Sequence, residues 1–139
     1  MVTELTFAGA ADFNKWMRDF GDTQGVAGAS DTNMPACTTP GACWVPNTAP
    51  TVSGGGGPAW SGFVVTNPWQ TYNTFGDEKI LEDMYPTMES LLNFYKQNSH
   101  ADGLLRTWGT SSWIFLGDWI TPHGSENNIT SPENIVSDG

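Results

Sequence analysis

Positive charge is scarce in this chain: five Lys and Arg stand against fifteen Asp and Glu in 139 residues, a formal net charge of −10. Phosphate backbones are bound by clustered basic side chains, so this balance argues against nucleic acid as a partner and against an anionic membrane surface. Long hydrophobic runs are missing too. No stretch approaches the roughly eighteen apolar residues of a bilayer-spanning helix. Histidine and cysteine number only two each. Two thiols do not make a four-ligand zinc site, and His123 with Glu126 offers two ligands without a third, so neither a metal nor a cofactor is expected. The first residues carry Glu4 and no basic segment, unlike a signal peptide. They read as the body of an amphipathic helix entered midway, and the chain is expected to be part of something longer.

What the chain does have is tryptophan, glycine and proline. Three of the seven tryptophans, Trp108, Trp113 and Trp119, fall within twelve positions. Ile114, Phe115 and Leu116 suit a core, but Gly117-Asp118-Trp119 directly after them does not, because an aspartate is rarely buried unpaired. An indole beside a carboxylate suits a sugar, whose C–H face lies on the ring while its hydroxyls find the acceptor. Trp60 emerges in similar fashion from a glycine-rich loop. The competing explanation for each tryptophan is ordinary core packing.

Cys37 and Cys43 lie in a loop of Pro, Thr and Gly. Closing so short a loop would stabilise by roughly 2–2.5 kcal/mol in the chain-entropy model. Together with the glycosylation sequon at Asn128, the pair points to a secreted product.

Helical periodicity dominates the rest. Residues Val2 to about Phe20 read as a helix with Phe13, Trp16, Met17 and Phe20 on one face, ended by Gly21-Asp22. From Thr23 to Gly57 the composition predicts a long surface excursion that delivers Trp60 to the rim of a site. Trp44 within it either covers that site or anchors the loop. Asn67-Pro68 predicts the start of a short helix carrying Trp69, Tyr72 and Phe75. Gly76 predicts its end, and Asp77 the cap of the next helix. From Glu78 to about Gln97, Ile80, Leu81, Met84, Tyr85, Met88, Leu91, Leu92 and Tyr95 form one apolar stripe, with Pro86 expected to kink the helix or mark a restart. Two helices joined by Gly76-Asp77 must fold back as an antiparallel hairpin. Asp102-Gly103 is a turn, and 123–139 is a polar, loosely ordered tail.

In order, Asp19-Phe20-Gly21-Asp22-Thr23-Gln24, Ala59-Trp60, Pro68-Trp69, Tyr72, Phe75-Gly76-Asp77, Tyr85-Pro86-Thr87-Met88 and Leu116-Gly117-Asp118-Trp119 resemble part of the catalytic domain of bacterial and fungal-type α-L-rhamnosidases. The resemblance implies an all-α fold, a partial (α/α)6 barrel of helical hairpins over residues 1–122 with a long irregular loop (23–62). It implies Trp60, Asp118 and Trp119 as substrate-binding residues and a rhamnosylated small molecule or polysaccharide as substrate. The rest of the barrel would cover the exposed helix faces. One departure is that Ser61-Gly62 stands where the family has an aspartate shortly after this tryptophan. The family's general acid and base are expected before residue 1 and beyond residue 139, so the chain alone is expected to be inactive. Twelve helices with short loops need on the order of 190 residues, and three clear helices are legible here. The alternatives are a non-catalytic carbohydrate-binding or interaction fragment, or another (α/α)6-barrel glycosidase.

Overall fold

The computed structural model describes residues 7–28, 34–55 and 57–105. In chain order they form α1 (Phe7–Asp22), a short hairpin of β1 (Pro46–Thr48) and β2 (Ser53–Gly55), a single turn α2 (Pro58–Ser61), α3 (Phe63–Phe75) and α4 (Glu78–Asn98). The expected tail 123–139, with Asn128, lies outside the described residues. No described helix is long and apolar enough to cross a membrane.

Helix α1 turns Met17 and Phe20 into the core, where they join Val45, Val64, Ile80, Met84 and Leu91. It ends at Asp22, within the Gly21-Asp22 pair that the sequence marks as its stop, but Gly21 itself is helical and is not a terminating glycine. A Cβ on Gly21 would lie 3.0 Å from Thr87 Oγ1 on α4, so this glycine serves close helix approach rather than termination. The end comes at Thr23, whose hydroxyl and backbone N–H both donate to the Asp19 carbonyl, at 2.7 and 3.1 Å.

The segment after α1 is not a surface excursion. Trp44 and Val45 are among the most deeply buried side chains of the described residues. The Trp44 indole donates to the Pro35 carbonyl at 2.9 Å, and the Cys43 N–H donates to Ser90 on α4 at 3.1 Å. Gln24 ties the two together, its amide donating to the carbonyls of Cys43 (3.0 Å) and Thr87 (3.1 Å). Cys37 and Cys43 form a disulfide across this loop, with Cα atoms 5.2 Å apart. Beyond it β1 and β2 pair antiparallel, Pro46 opposite Gly55 and Thr48 opposite Ser53.

Helix α3 begins at Phe63, so Asn67 is not a cap and Pro68 lies inside the helix. The missing N–H of Pro68 costs one ladder bond, yet its ring is fully buried beside Val64 and Thr71. Trp69 touches Tyr72, its neighbour on the expected aromatic face, and is 55% exposed. Gly76 does end α3, at φ 70° with its N–H on the Tyr72 carbonyl; only a left-handed residue closes a helix that way. Asp77 occupies the cap position of α4 without capping through its side chain. Its carboxylate instead accepts from the Asn14 amide at 2.6 Å, fastening α1 to the α3–α4 turn.

Helix α4 is continuous through Pro86. Its buried face is Ile80, Met84, Thr87, Ser90, Leu91 and Phe94, whereas Tyr85 and Leu92 from the expected stripe are exposed. The stripe is rotated toward Thr87 and Ser90 because backbone arrives there: Gly21 beside Thr87 and Cys43 on Ser90. Small side chains fit where another main chain comes that close. On the outer side Lys79 and Arg18 both reach Asp83. The Lys79 hydrogen bond, then that of Arg18, holds its carboxyl below the ordinary aspartate value. At such exposure these pairs contribute little.

Tyr95 supplies a test of packing. Its hydroxyl donates to the Pro58 carbonyl at 3.3 Å, and burial pushes its pKa up to about 12 from a usual 10, against a lowering by Ser61. The folded state therefore keeps the phenol proton that the unfolded chain gives up. Stability from this group is fully present below pH 10 and is lost as pH rises toward 12, by about 2 kcal/mol. Melting temperatures measured across that range should fall less steeply in Tyr95→Phe than in the wild type. Parallel curves would show that the ring is solvated.

Candidate functional site

The site is built where α1, the β-hairpin and α2 meet. Pro58 starts α2 at a position where a missing N–H costs nothing, and the helix lasts one turn. Ser61 is fully buried at its end, donating to the Val45 carbonyl at 3.3 Å. That anchor fixes α2 against β1 and leaves Trp60 54% exposed, with its indole N–H on the Asn47 carbonyl at 3.1 Å. Gly62 then lets α3 begin at once, because a Cβ there would meet the Pro58 carbonyl at 2.9 Å.

Phe63, the first residue of α3, sits under the site. Its ring meets Phe20 edge-on at 4.5 Å and stacks on Trp16 at 5.6 Å and 26°. Trp16 is 39% exposed, and its indole N–H donates to the Ala49 carbonyl at 3.1 Å. Between these groups lies a cleft of about 280 Å3 lined by Trp16, Asn47, Ala59, Trp60, Phe63 and Asn67. Three of the six are aromatic, two are amides, and none ionises near neutral pH. One acceptor, Asn47 Oδ1, is buried without a hydrogen-bond partner among the described residues. Such a group costs about 1–3 kcal/mol.

An uncharged cleft with indole surface can hold a flat or chair-shaped neutral ring, but it cannot itself donate or accept a proton in catalysis. Trp60, selected from sequence, is at the cleft. Asp118 and Trp119 lie outside the described residues. Trp16, Asn47 and Asn67 escape the sequence reading. Trp16 reads as one more member of a core face, and Asn67 as a cap. The available signal is chemical: an indole N–H on a partly exposed ring needs an acceptor, and here both acceptors come from the hairpin.

Comparison with known proteins turns this geometry into a family. The chain matches the bacterial alpha-L-rhamnosidase 6 hairpin glycosidase domain over residues 1–138. It is 32% identical over 114 residues to an alpha-L-rhamnosidase of Streptomyces avermitilis, covering 81% of this chain and 10% of the relative. An alpha-L-rhamnosidase of Alteromonas sp. is 34% identical over 64 residues, covering 46% of this chain and 6% of the relative. One from Formosa agariphila is 29% identical over 79 residues, covering 57% and 7%. The chain thus spans at most about a tenth of the length of these relatives. No solved structure matches it. A match running over nearly the whole sequence, on helices that fold back in a hairpin as such a barrel requires, means that this chain belongs to the bacterial alpha-L-rhamnosidase six-hairpin glycosidase domain family, as a partial (α/α)6 barrel.

Proposed function

We propose that this chain is part of a glycoside hydrolase cleaving terminal α-L-rhamnosides, and that it supplies sugar-stacking surface rather than the reacting carboxyls. The observation that carries this reading is the half-exposed Trp60 at an uncharged cleft, in a chain whose relatives are alpha-L-rhamnosidases. Hydrolysis with inversion needs one carboxylic acid at the leaving oxygen and a second carboxylate about 6.5–9.5 Å away to activate water. None of the cleft residues can fill either role. Asp118 accepts sugar hydroxyls or holds Trp119, which packs the ring and its methyl group together with Trp60. The 139-residue chain by itself is inactive.

The assay is direct. Incubated with an aryl α-L-rhamnoside, the purified chain should release no more rhamnose than the buffer blank. Release above the blank that disappears in Asp118→Asn would overturn the assignment. Export is part of the same proposal, supported by the Cys37–Cys43 disulfide and the sequon at Asn128.

A further inference from the structure

Trp16 and Trp60 belong to different helices, yet both indole N–H groups end on one short stretch, at the carbonyls of Ala49 and Asn47. An indole has a single donor. Once it is committed, the ring offers a ligand only its faces and edges. The two anchors are two residues apart, one in β1 and one in the turn that follows it, so the hairpin acts as a spacer between the indoles. Trp16 stacks on Phe63, and the cleft opens between Trp16 and Trp60.

We infer that Trp16 is a further wall of the sugar site, facing Trp60 and positioned by the Asn47–Ala49 segment, and that the cleft takes one neutral pyranose ring. This rests on the glycosidase reading above and goes beyond it in naming the residue and the charge selectivity. Size limits the occupant: about 280 Å3 is just under the roughly 300–1,000 Å3 of pockets for drug-sized ligands, which suits one ring better than a chain. Charge limits it further. Among the described residues the polar lining is the amides of Asn47 and Asn67, with no Lys or Arg to pair a carboxylate. The chain's net charge of −10 repels a uronate on approach. Amides both donate and accept, which matches sugar hydroxyls.

Isothermal titration of the full 139-residue chain with L-rhamnose and with D-galacturonate tests this. Rhamnose should bind and galacturonate should not. Trp16→Phe and Trp60→Ala should each weaken binding by at least about tenfold, while Trp69→Ala, on an exposed ring outside the cleft, should leave it unchanged. Because Trp16→Phe also loses a hydrogen bond, Ala59→Gln provides a second arm that fills the cleft from α2 and removes neither indole nor its hydrogen bond. It should abolish binding with an unchanged melting temperature. If Trp60→Ala abolishes binding while Trp16→Phe and Ala59→Gln bind like the wild type, the inference is overturned and the rhamnoside reading survives. Equal affinity for galacturonate overturns the selectivity. Absence of binding in the wild type overturns the cleft altogether, leaving the family-level activity to be decided by hydrolysis in the longer protein.

Discussion

Trp44→Ala is expected to destabilise the fold by about 3–5 kcal/mol, a large share of the roughly 5–15 kcal/mol that holds a domain together. Trp44 is 1% exposed and packs with Cys43 and Phe94, with Met34, Tyr95 and Leu105 around them. Its removal leaves a cavity bounded partly by α4, and the interior cannot close over it without moving that helix. It also strands the Pro35 carbonyl, which accepts the indole N–H at 2.9 Å. Trp60→Ala is the matched comparison. That ring is 54% exposed with one hydrogen bond to Asn47, so its loss should cost only about 1 kcal/mol. Urea unfolding of the two variants separates the roles. Comparable midpoints would mean that the 34–55 segment is not part of the core.

Gly25→Ala should cost about 2–5 kcal/mol, from two independent sources. Gly25 has φ +76°, where an L-residue pays about 1–2 kcal/mol. A Cβ there would also stand 2.5 Å from Cys43 Sγ and 3.0 Å from Cys37 Sγ, and overpacking of this kind adds about 1–3 kcal/mol. The terms can be measured apart. Gly41 has φ +71° but nothing within 4 Å of its notional Cβ, so Gly41→Ala reports the backbone term alone. In a background where Cys37 and Cys43 are both alanine, Gly25→Ala should lose its steric part and fall to the Gly41 value. A full-sized penalty in that background would show that the collision is with something other than the disulfide.

Helix α4 and the left-handed stop at Gly76 were legible in the residues, because both are local. A helix that repeats its apolar side chains every three to four positions must bury that side, and glycine closes a helix at low steric cost. The exact face was less legible. Tyr85 and Leu92 have the periodicity of core residues and are exposed, while Thr87, Ser90 and Phe94 are buried. Hydrophobicity along one helix carries no record of where Gly21 or Cys43 arrives from elsewhere in the chain. The same blindness misplaced Asp77, whose usual capping role gave way to Asn14, 63 residues earlier.

The amino-acid sequence alone pointed to the family that the chain belongs to, through short motifs in order, and its charge set the expectation against nucleic acid. It also determined the helical hairpin, since a two-residue connection leaves two helices no other way to pack. Only the tertiary structure separated Trp16, Trp44 and Trp60 from one another. Trp44 is sealed inside, Trp60 stands half in solvent, and Trp16 is drawn from a core-like helix face to a cleft wall. All three are the same side chain with the same appetite for burial and for one acceptor. Which of them reaches water depends on where the carbonyls of Pro35, Asn47 and Ala49 come to lie, and those positions exist only once the hairpin has docked.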